Sequence, residues 1–168
     1  NGVSYSNGQW TGVIMQSGCI PVTAVVRDSR GRTATIHKSI YVHPYIKPTI
    51  NVSAYRCSAN GIRDDMYGTK AKVILKTEVS SMDGCNTMQV RVQYKPKGGK
   101  YINCSNLPTI QSGKETSFIL DGPFAEDTSY ELQVVVSDYF YAESKKIKIN
   151  PCFVLLDFGP GGKSIGVG

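Results

Sequence analysis

The stretch closest to a catalytic motif is the tail, Asp157-Phe-Gly-Pro-Gly-Gly-Lys-Ser-Ile-Gly-Val-Gly168. A phosphate-binding loop needs a glycine five positions before its Gly-Lys-Ser, so that backbone amides wrap the phosphates, and a helix directly after it. Here that position is Asp157, and Ile165-Gly-Val-Gly168 follows, which reads as extended. Asp157-Phe158-Gly159 also spells the kinase magnesium triplet, without the His-Arg-Asp loop or strand lysine that would give it meaning. The histidines, His37 and His43, fall at one end of a single predicted hairpin, and no serine sits in a Gly-x-Ser-x-Gly turn. Asp64-Asp65 could offer carboxylates to calcium, but the alternating acids and distal glutamate of an EF-hand are missing. The five cysteines, Cys19, Cys57, Cys85, Cys104 and Cys152, are widely spaced, with no Cys-x-x-Cys pair and no neighbouring histidine to suggest zinc. Their spacing leaves pairing of Cys85 with Cys104 open, and reduced, partly buried thiols are the simpler expectation. The sequence thus predicts no catalytic, cofactor or metal site, and a chain that is not an enzyme.

One chemical feature stands out instead. Tyr139-Phe140-Tyr141 places three aromatics at a predicted turn, where exposing them is costly unless they meet something. These residues are the candidate contact for a protein partner or, by ring stacking, a glycan; packing against their own or a neighbouring module is the plain alternative.

The elements that would carry this tip are strands. The 168 residues hold 10 Tyr, 17 Gly and 8 Pro, a composition suited to pleated surfaces and frequent turns. Val22 to Asp28 alternates apolar and polar positions, Ser29-Arg-Gly31-Arg turns, and Thr33 to Val42 alternates again, predicting a hairpin ended by Pro44 and Pro48. Between Pro48 and Pro151 strands are expected at Thr49–Tyr55, Lys70–Val79, Thr87–Tyr94, Thr116–Leu120, Tyr130–Asp138 and Ser144–Ile149, with a short one near Lys100–Cys104. Asn60-Gly61, Asp83-Gly84, Gly98-Gly99 and Asp121-Gly-Pro123 supply turns between them. Tyr130, ahead of alternating aliphatics, has the placement of a tyrosine corner, in which the hydroxyl bonds upstream backbone.

An internal repeat joins the two regions. Asp28 and Asp138 are 110 residues apart (138 − 28), and Val22, Ala24 and Val26 match Leu132, Val134 and Val136 at that offset. A period of this length is a domain repeat, longer than a solenoid unit. The fold class predicted is all-β, a tandem of immunoglobulin/fibronectin III-like β-sandwiches. Residues 1–44 would be the C-terminal strands of a preceding sandwich, 45–151 one near-complete sandwich, and 152–168 an extended glycine-rich connector to a following module. A lone hairpin cannot bury both faces of a core, so Trp10, Val13 and Ile14, or a neighbouring chain, would have to cover it.

Charge and hydropathy narrow the partners. The net charge of +6 is spread along the chain, with one small cluster at Lys145, Lys146 and Lys148, where a nucleic-acid binder concentrates its cations on one element. Nucleic acid is therefore not expected as a partner, and no apolar run reaches the roughly 18 residues of a membrane span.

Val26-Arg-Asp-Ser-Arg-Gly-Arg-Thr-Ala34, Pro44-Tyr45, Pro48-Thr-Ile50, Ser53-Ala-Tyr-Arg-Cys57, the Asn60-Gly61 loop with Asp64-Asp65 and Gly68, Val90-Arg-Val-Gln-Tyr-Lys95 and the Leu155–Gly168 tail together resemble siphophage minor structural proteins. These are the large tail-tip, baseplate and tail-fibre proteins of phages infecting Gram-positive bacteria. The resemblance covers nearly all of the chain after about Gly18. It implies a virion protein, assembled in the host cytoplasm, that spaces or carries receptor-binding parts, often as a homotrimer. Expected partners are other tail proteins and a host surface receptor or polysaccharide. The five cysteines and the aromatic tip depart from the pattern, although a virion assembled in cytoplasm starts with reduced thiols. The alternatives are a bacterial cell-surface adhesin or carbohydrate-binding accessory module, and the non-catalytic part of a tail-associated wall hydrolase.

Overall fold

A computed structural model describes residues 5–6, 9, 14–120, 122–152, 157–158 and 165–166. All secondary structure among the described residues is β: β1 (Gly18–Arg27), β2 (Thr33–Val42), β3 (Thr49–Cys57), β4 (Lys70–Glu78), β5 (Gln89–Pro96), β6 (Ile102–Asn103), β7 (Glu115–Ile119), β8 (Tyr130–Ser137), β9 (Ala142–Ile149), β10 (Asp157–Phe158) and β11 (Ile165–Gly166). The chain divides into two compact units, Asn1–Tyr45 and Ile46–Gly168.

The second unit is built on two antiparallel sheets, ordered β3-β4-β7 and β6-β5-β8-β9. The chain passes from one sheet to the other after β4, β6 and β7. Alternation drives this arrangement. In β4, Ala71, Val73, Leu75 and Thr77 are fully buried, while Lys70, Lys72, Ile74 and Lys76 are half-buried on the other face. In β8, Leu132, Val134 and Val136 are likewise fully buried, with Tyr130 nearly so. These residues meet Val52, Val92, Tyr94, Phe118, Leu120, Phe124 and Ile149 in one hydrophobic core drawn from both sheets. Each fully buried aliphatic of this size contributes about 1.5–3 kcal/mol, so the core is the main driving force for the fold.

The core is closed at one end by Arg56. Its side chain is only 3 % exposed, and among the described residues no carboxylate forms an ion pair with it. All its donors go to backbone carbonyls: Nε to Asn150 (3.0 Å), Nη1 to Gly68 (3.3 Å) and Phe124 (3.0 Å), and Nη2 to Ala125 (2.9 Å) and Thr128 (2.7 Å). The guanidinium carbon lies 5.6 Å from the Phe124 ring centre and 5.4 Å from that of Tyr130. Gly68 is fixed by the same packing. A Cβ there would collide with the Asp64 carbonyl oxygen and come within 2.8 Å of the Cys57 nitrogen. Tyr130 bonds upstream backbone as a tyrosine corner does, its hydroxyl accepting from the Ala125 N–H at 3.0 Å.

The first unit is the β1–β2 hairpin. Its register, Gly18↔Val42 to Arg27↔Thr33, extends β1 four residues before the predicted start at Val22. Pro21 is tolerated because every strand of a two-stranded ribbon has a free edge. Residues on both faces are exposed: Val22 (43 %), Val26 (69 %), Ile36 (54 %) and Ile40 (42 %) on one, Val25 (60 %) and Tyr41 (58 %) on the other. Of the residues expected to cover it, Ile14 is itself exposed, and Trp10 and Val13 lie outside the described residues.

The internal repeat is visible in backbone detail. The Asp28 carboxylate accepts from the amides of Arg30 (3.0 Å) and Arg32 (2.9 Å); that of Asp138 accepts from Phe140 (2.8 Å) and Tyr141 (2.7 Å). The Asp28 N–H donates to the Arg32 carbonyl and the Asp138 N–H to the Tyr141 carbonyl, each at 2.9 Å. The strand pairs closing the two loops are Arg27↔Thr33 and Ser137↔Ala142. The offset is thus 110 on the first strand (137 − 27) and 109 on the second (142 − 33), so the second loop is one residue shorter.

Elsewhere the strands begin or end within two residues of expectation. β5 starts at Gln89 rather than Thr87, because Met82 (φ 49), Asp83 (φ 55) and Gly84 (φ 84) form a left-handed turn that returns the chain late. Of the 152–168 connector, Asp157–Phe158 pairs antiparallel with Ile165–Gly166; the Gly-Gly-Lys-Ser segment between lies outside the described residues.

Replacing Arg56 by Met, which keeps bulk but strands five carbonyls, is expected to destabilise the second unit by about 3–5 kcal/mol in urea unfolding. Arg56→Lys recovers only part of this, since a lysine has three donors and no planar fork. A loss under about 1 kcal/mol for Arg56→Met would show that the carbonyls find water instead. Gly68→Ala is expected to cost about 1–3 kcal/mol by overpacking against backbone, and an unchanged unfolding midpoint would contradict that.

Candidate functional site

The aromatic tip is assembled by the β8–β9 turn and braced from the β4–β5 loop. Asn86, 9 % exposed, donates through Nδ2 to the Ser80 carbonyl (2.8 Å) and the Asp138 carboxylate (3.2 Å), and accepts from the Tyr139 amide (3.1 Å). Together with the Asp138 cap this fixes the backbone under all three rings. Tyr139 is 83 % exposed, Phe140 57 % and Tyr141 41 %. The Tyr139 and Phe140 rings meet edge to face, 5.1 Å apart at 79°. Lys47, just ahead of β3, sets its ammonium 4.4 Å from the Tyr141 ring centre. The arrangement offers a rigid loop with two outward rings, suited to stacking or apolar contact.

A second surface was not legible as a cluster. Lys95, Glu131 and Lys148 lie side by side across β5, β8 and β9, as do Gln93, Gln133 and Lys146. Tyr101, ahead of β6, packs here: Lys95 stands 4.7 Å and Lys146 5.9 Å from its ring centre, and its hydroxyl bonds the Glu131 carboxylate. Glu131 also pairs with Lys95 (3.5 Å) and Lys146 (3.6 Å). The Tyr101 hydrogen bond, then the lysines, holds its carboxyl below the usual glutamate range, while Tyr101 and Glu131 raise the Lys146 ammonium above the usual lysine value. Of the basic triplet seen in sequence, Lys146 and Lys148 share this face. Lys145 points the opposite way and reaches the Ile50 carbonyl at 3.5 Å. The signal that marks the face is alternation in β5, where Arg91, Gln93 and Lys95 share one parity.

A groove of about 440 Å³, lined by Lys95, Lys97, Glu131, Lys146 and Lys148 among others, lies over this face. It adjoins a wider one of about 960 Å³ at the Arg56 end, and the two share Lys97, Ser129 and Lys148.

The remaining sequence candidates are scattered. His37 Nδ1 lies 3.0 Å from the Thr23 hydroxyl on the exposed hairpin, and His43 packs edge-on to Tyr41. Asp64 accepts from the amides of Met66 (3.1 Å) and Tyr67 (2.9 Å), and Asp65 pairs with Arg63 at 2.7 Å, so both carboxylates serve the loop itself. Among the described residues no three His, Cys, Asp or Glu side chains gather as metal ligands would. Cys85 and Cys104 are not bonded to each other. Burial raises the thiols of Cys57 and Cys152 above the usual range, which keeps them protonated and unreactive near neutral pH.

No curated protein and no solved structure matches the chain. A family model does, over residues 1–168, and its description is siphovirus protein of unknown function, DUF859. The chain therefore belongs to this siphovirus protein family.

Proposed function

We propose that the chain is a non-enzymatic structural segment of a phage tail tip, baseplate or tail fibre, in which tandem immunoglobulin/fibronectin III-like sandwiches space and support host-binding parts. The observation that carries this reading is the repeated hairpin. β1–β2 reproduces β8–β9 down to the aspartate cap, yet Val22 and Val26 are exposed where their equivalents Leu132 and Val136 are fully buried. An apolar ribbon of this kind is stable only when further strands cover it. A preceding sandwich of the same kind supplies such strands. Membership of a siphovirus family supports a place for the chain in the virion. Antiparallel ladders suit the role, since they resist shear while the loops at each end dock neighbours. Other tail proteins, and further copies of the chain in a homo-oligomer, are the partners in this reading.

A second reading has its own observation. The exposure of Tyr139 and Phe140 on a braced turn favours an adhesin-like stacking contact with an uncharged sugar ring.

Immunogold labelling of purified virions is expected to place the chain at the distal end of the tail; labelling of the head, or absence from the particle, would refute the proposal. In the assembled virion protein, Val26→Cys is expected to react with a maleimide at least about tenfold more slowly than Ser29→Cys at the turn, because burial limits thiol access. Equal rates would mean that no preceding strands cover the hairpin. For the second reading, saturable binding of a neutral oligosaccharide should vanish in Tyr139→Ala, and binding unaffected by that change would remove the tip from glycan contact.

A further inference from the structure

The outer face of the β6-β5-β8-β9 sheet collects charge in a way that a spacer does not require. Four lysines, Lys95, Lys97, Lys146 and Lys148, border the smaller groove with one carboxylate, Glu131. Glu131 is engaged by Tyr101, Lys95 and Lys146. Lys97 and Lys148 have no ion pair among the described residues, and both also line the larger groove. Lys97 is held there by its own turn, its N–H donating to the Ser129 carbonyl at 2.9 Å while Gly98 (φ 78) reverses the chain. Lys146 and Lys148 are two residues apart on one strand face, a spacing of ~7 Å fixed by the strand. Arg91 adds a further exposed cation on the same face of β5.

We infer that this face is a binding site for a linear anionic polysaccharide, a polymer repeating phosphate or carboxylate groups along a sugar or polyol backbone. The inference rests on the tail reading insofar as a virion surface would meet such a polymer on its host. Two features select a polymer over a small anion. The cations are spread over two strands and a turn rather than converging on one point, and the two grooves run into one another through Lys97 and Lys148. A third feature selects a polysaccharide over a nucleic acid. Single-stranded nucleic acid is held by bases stacking on aromatic faces. Here the Tyr101 ring is approached by Lys95 and Lys146, and Tyr55, in the larger groove, by Arg63 at 5.6 Å. Rings so occupied leave cations for a charged backbone and no platform for bases. Lysine suits the task because its ammonium acts as a mobile point charge without demanding a planar partner. Neutralising about four charges makes affinity strongly salt-dependent.

The test uses the 168-residue chain, with a linear poly(glycerol phosphate) as probe, neutral dextran as the uncharged control and oligo-dT as the nucleic-acid control. Saturable poly(glycerol phosphate) binding is expected, weakening about 50-fold between roughly 50 and 200 mM salt. The double variant Lys146→Gln/Lys148→Gln should lose about tenfold or more, and Lys97→Gln should weaken binding by itself. All three lysines are exposed, so an unchanged thermal midpoint is expected to confirm folding. Lys114→Gln, an exposed lysine just ahead of β7 in the other sheet and outside both grooves, should bind as the parent does. Absent binding at low salt, binding unaffected by the lysine changes, or tighter binding of oligo-dT would each overturn the inference. Tail labelling without polymer binding would sink this site alone, whereas polymer binding by a chain absent from the virion would sink the tail reading alone.

Discussion

The second unit depends on a guanidinium that has left water and that, among the described residues, has no carboxylate paired with it. Removing an ion from water costs several kcal/mol unless its donors are satisfied in place. Arg56 meets that condition with five backbone carbonyls and two aromatic faces rather than a carboxylate. The carbonyls come from Gly68 before β4, from Phe124, Ala125 and Thr128 between β7 and β8, and from Asn150 after β9. One side chain therefore sets three connections that belong to different sheets. Loops are usually where a sandwich is least ordered, because their backbone groups lack ladder partners. Here those groups are partnered, and the glycine at 68 lets the chain approach closely enough for it. Cys152 adds to the same knot, its thiol donating to the Gly68 carbonyl at 3.2 Å.

Order at that end has consequences along the sheet. Ser129 and Tyr130 leave the knot directly into β8, so the register of β8 against β5 and β9 is anchored from its first residue. That register aligns Lys95 with Glu131 and Lys148, and the groove floor follows from it. β8 then runs about 24 Å to its far end, where Asp138 and Asn86 perform the equivalent service for the aromatic tip. The two candidate surfaces thus hang on polar clamps at opposite ends of one strand. Neither clamp is buried apolar packing. The hydrophobic core supplies the free energy, and the clamps decide where the exposed side chains stand.

How much of this could be read beforehand follows from the range of the interactions. Strand identity is local: alternation in Lys70–Glu78 and Tyr130–Ser137 is visible in any short window, and both strands form where expected. The Asp28 and Asp138 caps are also local, each spanning a few residues, so the repeat was legible as sequence. Tyr130 was recognisable because its partner is only five residues upstream. Arg56 was not, because it looks like an ordinary strand residue between Tyr55 and Cys57, while its partners lie 12 to 94 residues away. The lysine face was hidden for a related reason. The chain order puts Lys145, Lys146 and Lys148 together, whereas the pleat separates the first from the others and pairing brings in Lys95 from some fifty residues upstream (146 − 95 = 51).

The two hairpins show what such a scaffold permits. Both tips are pinned by an aspartate that takes up two amides of the turn, and both close with the same N–H to carbonyl bond at 2.9 Å. With the backbone capped from within, the other tip residues contribute little to holding it. In the first copy they are Ser29-Arg-Gly-Arg32, with Gly31 at φ 83 and Arg32 paired back to Asp28 at 2.7 Å. In the second they are Tyr139-Phe-Tyr141, in a loop one residue shorter with no glycine. The shorter loop has no left-handed glycine and has the Asn86 brace, so three bulky rings stand where the first copy has a basic turn. One sandwich hairpin can therefore carry either a cationic or an aromatic tip without change to the ladder beneath. The aspartate keeps the turn in place in both copies while the residues around it change.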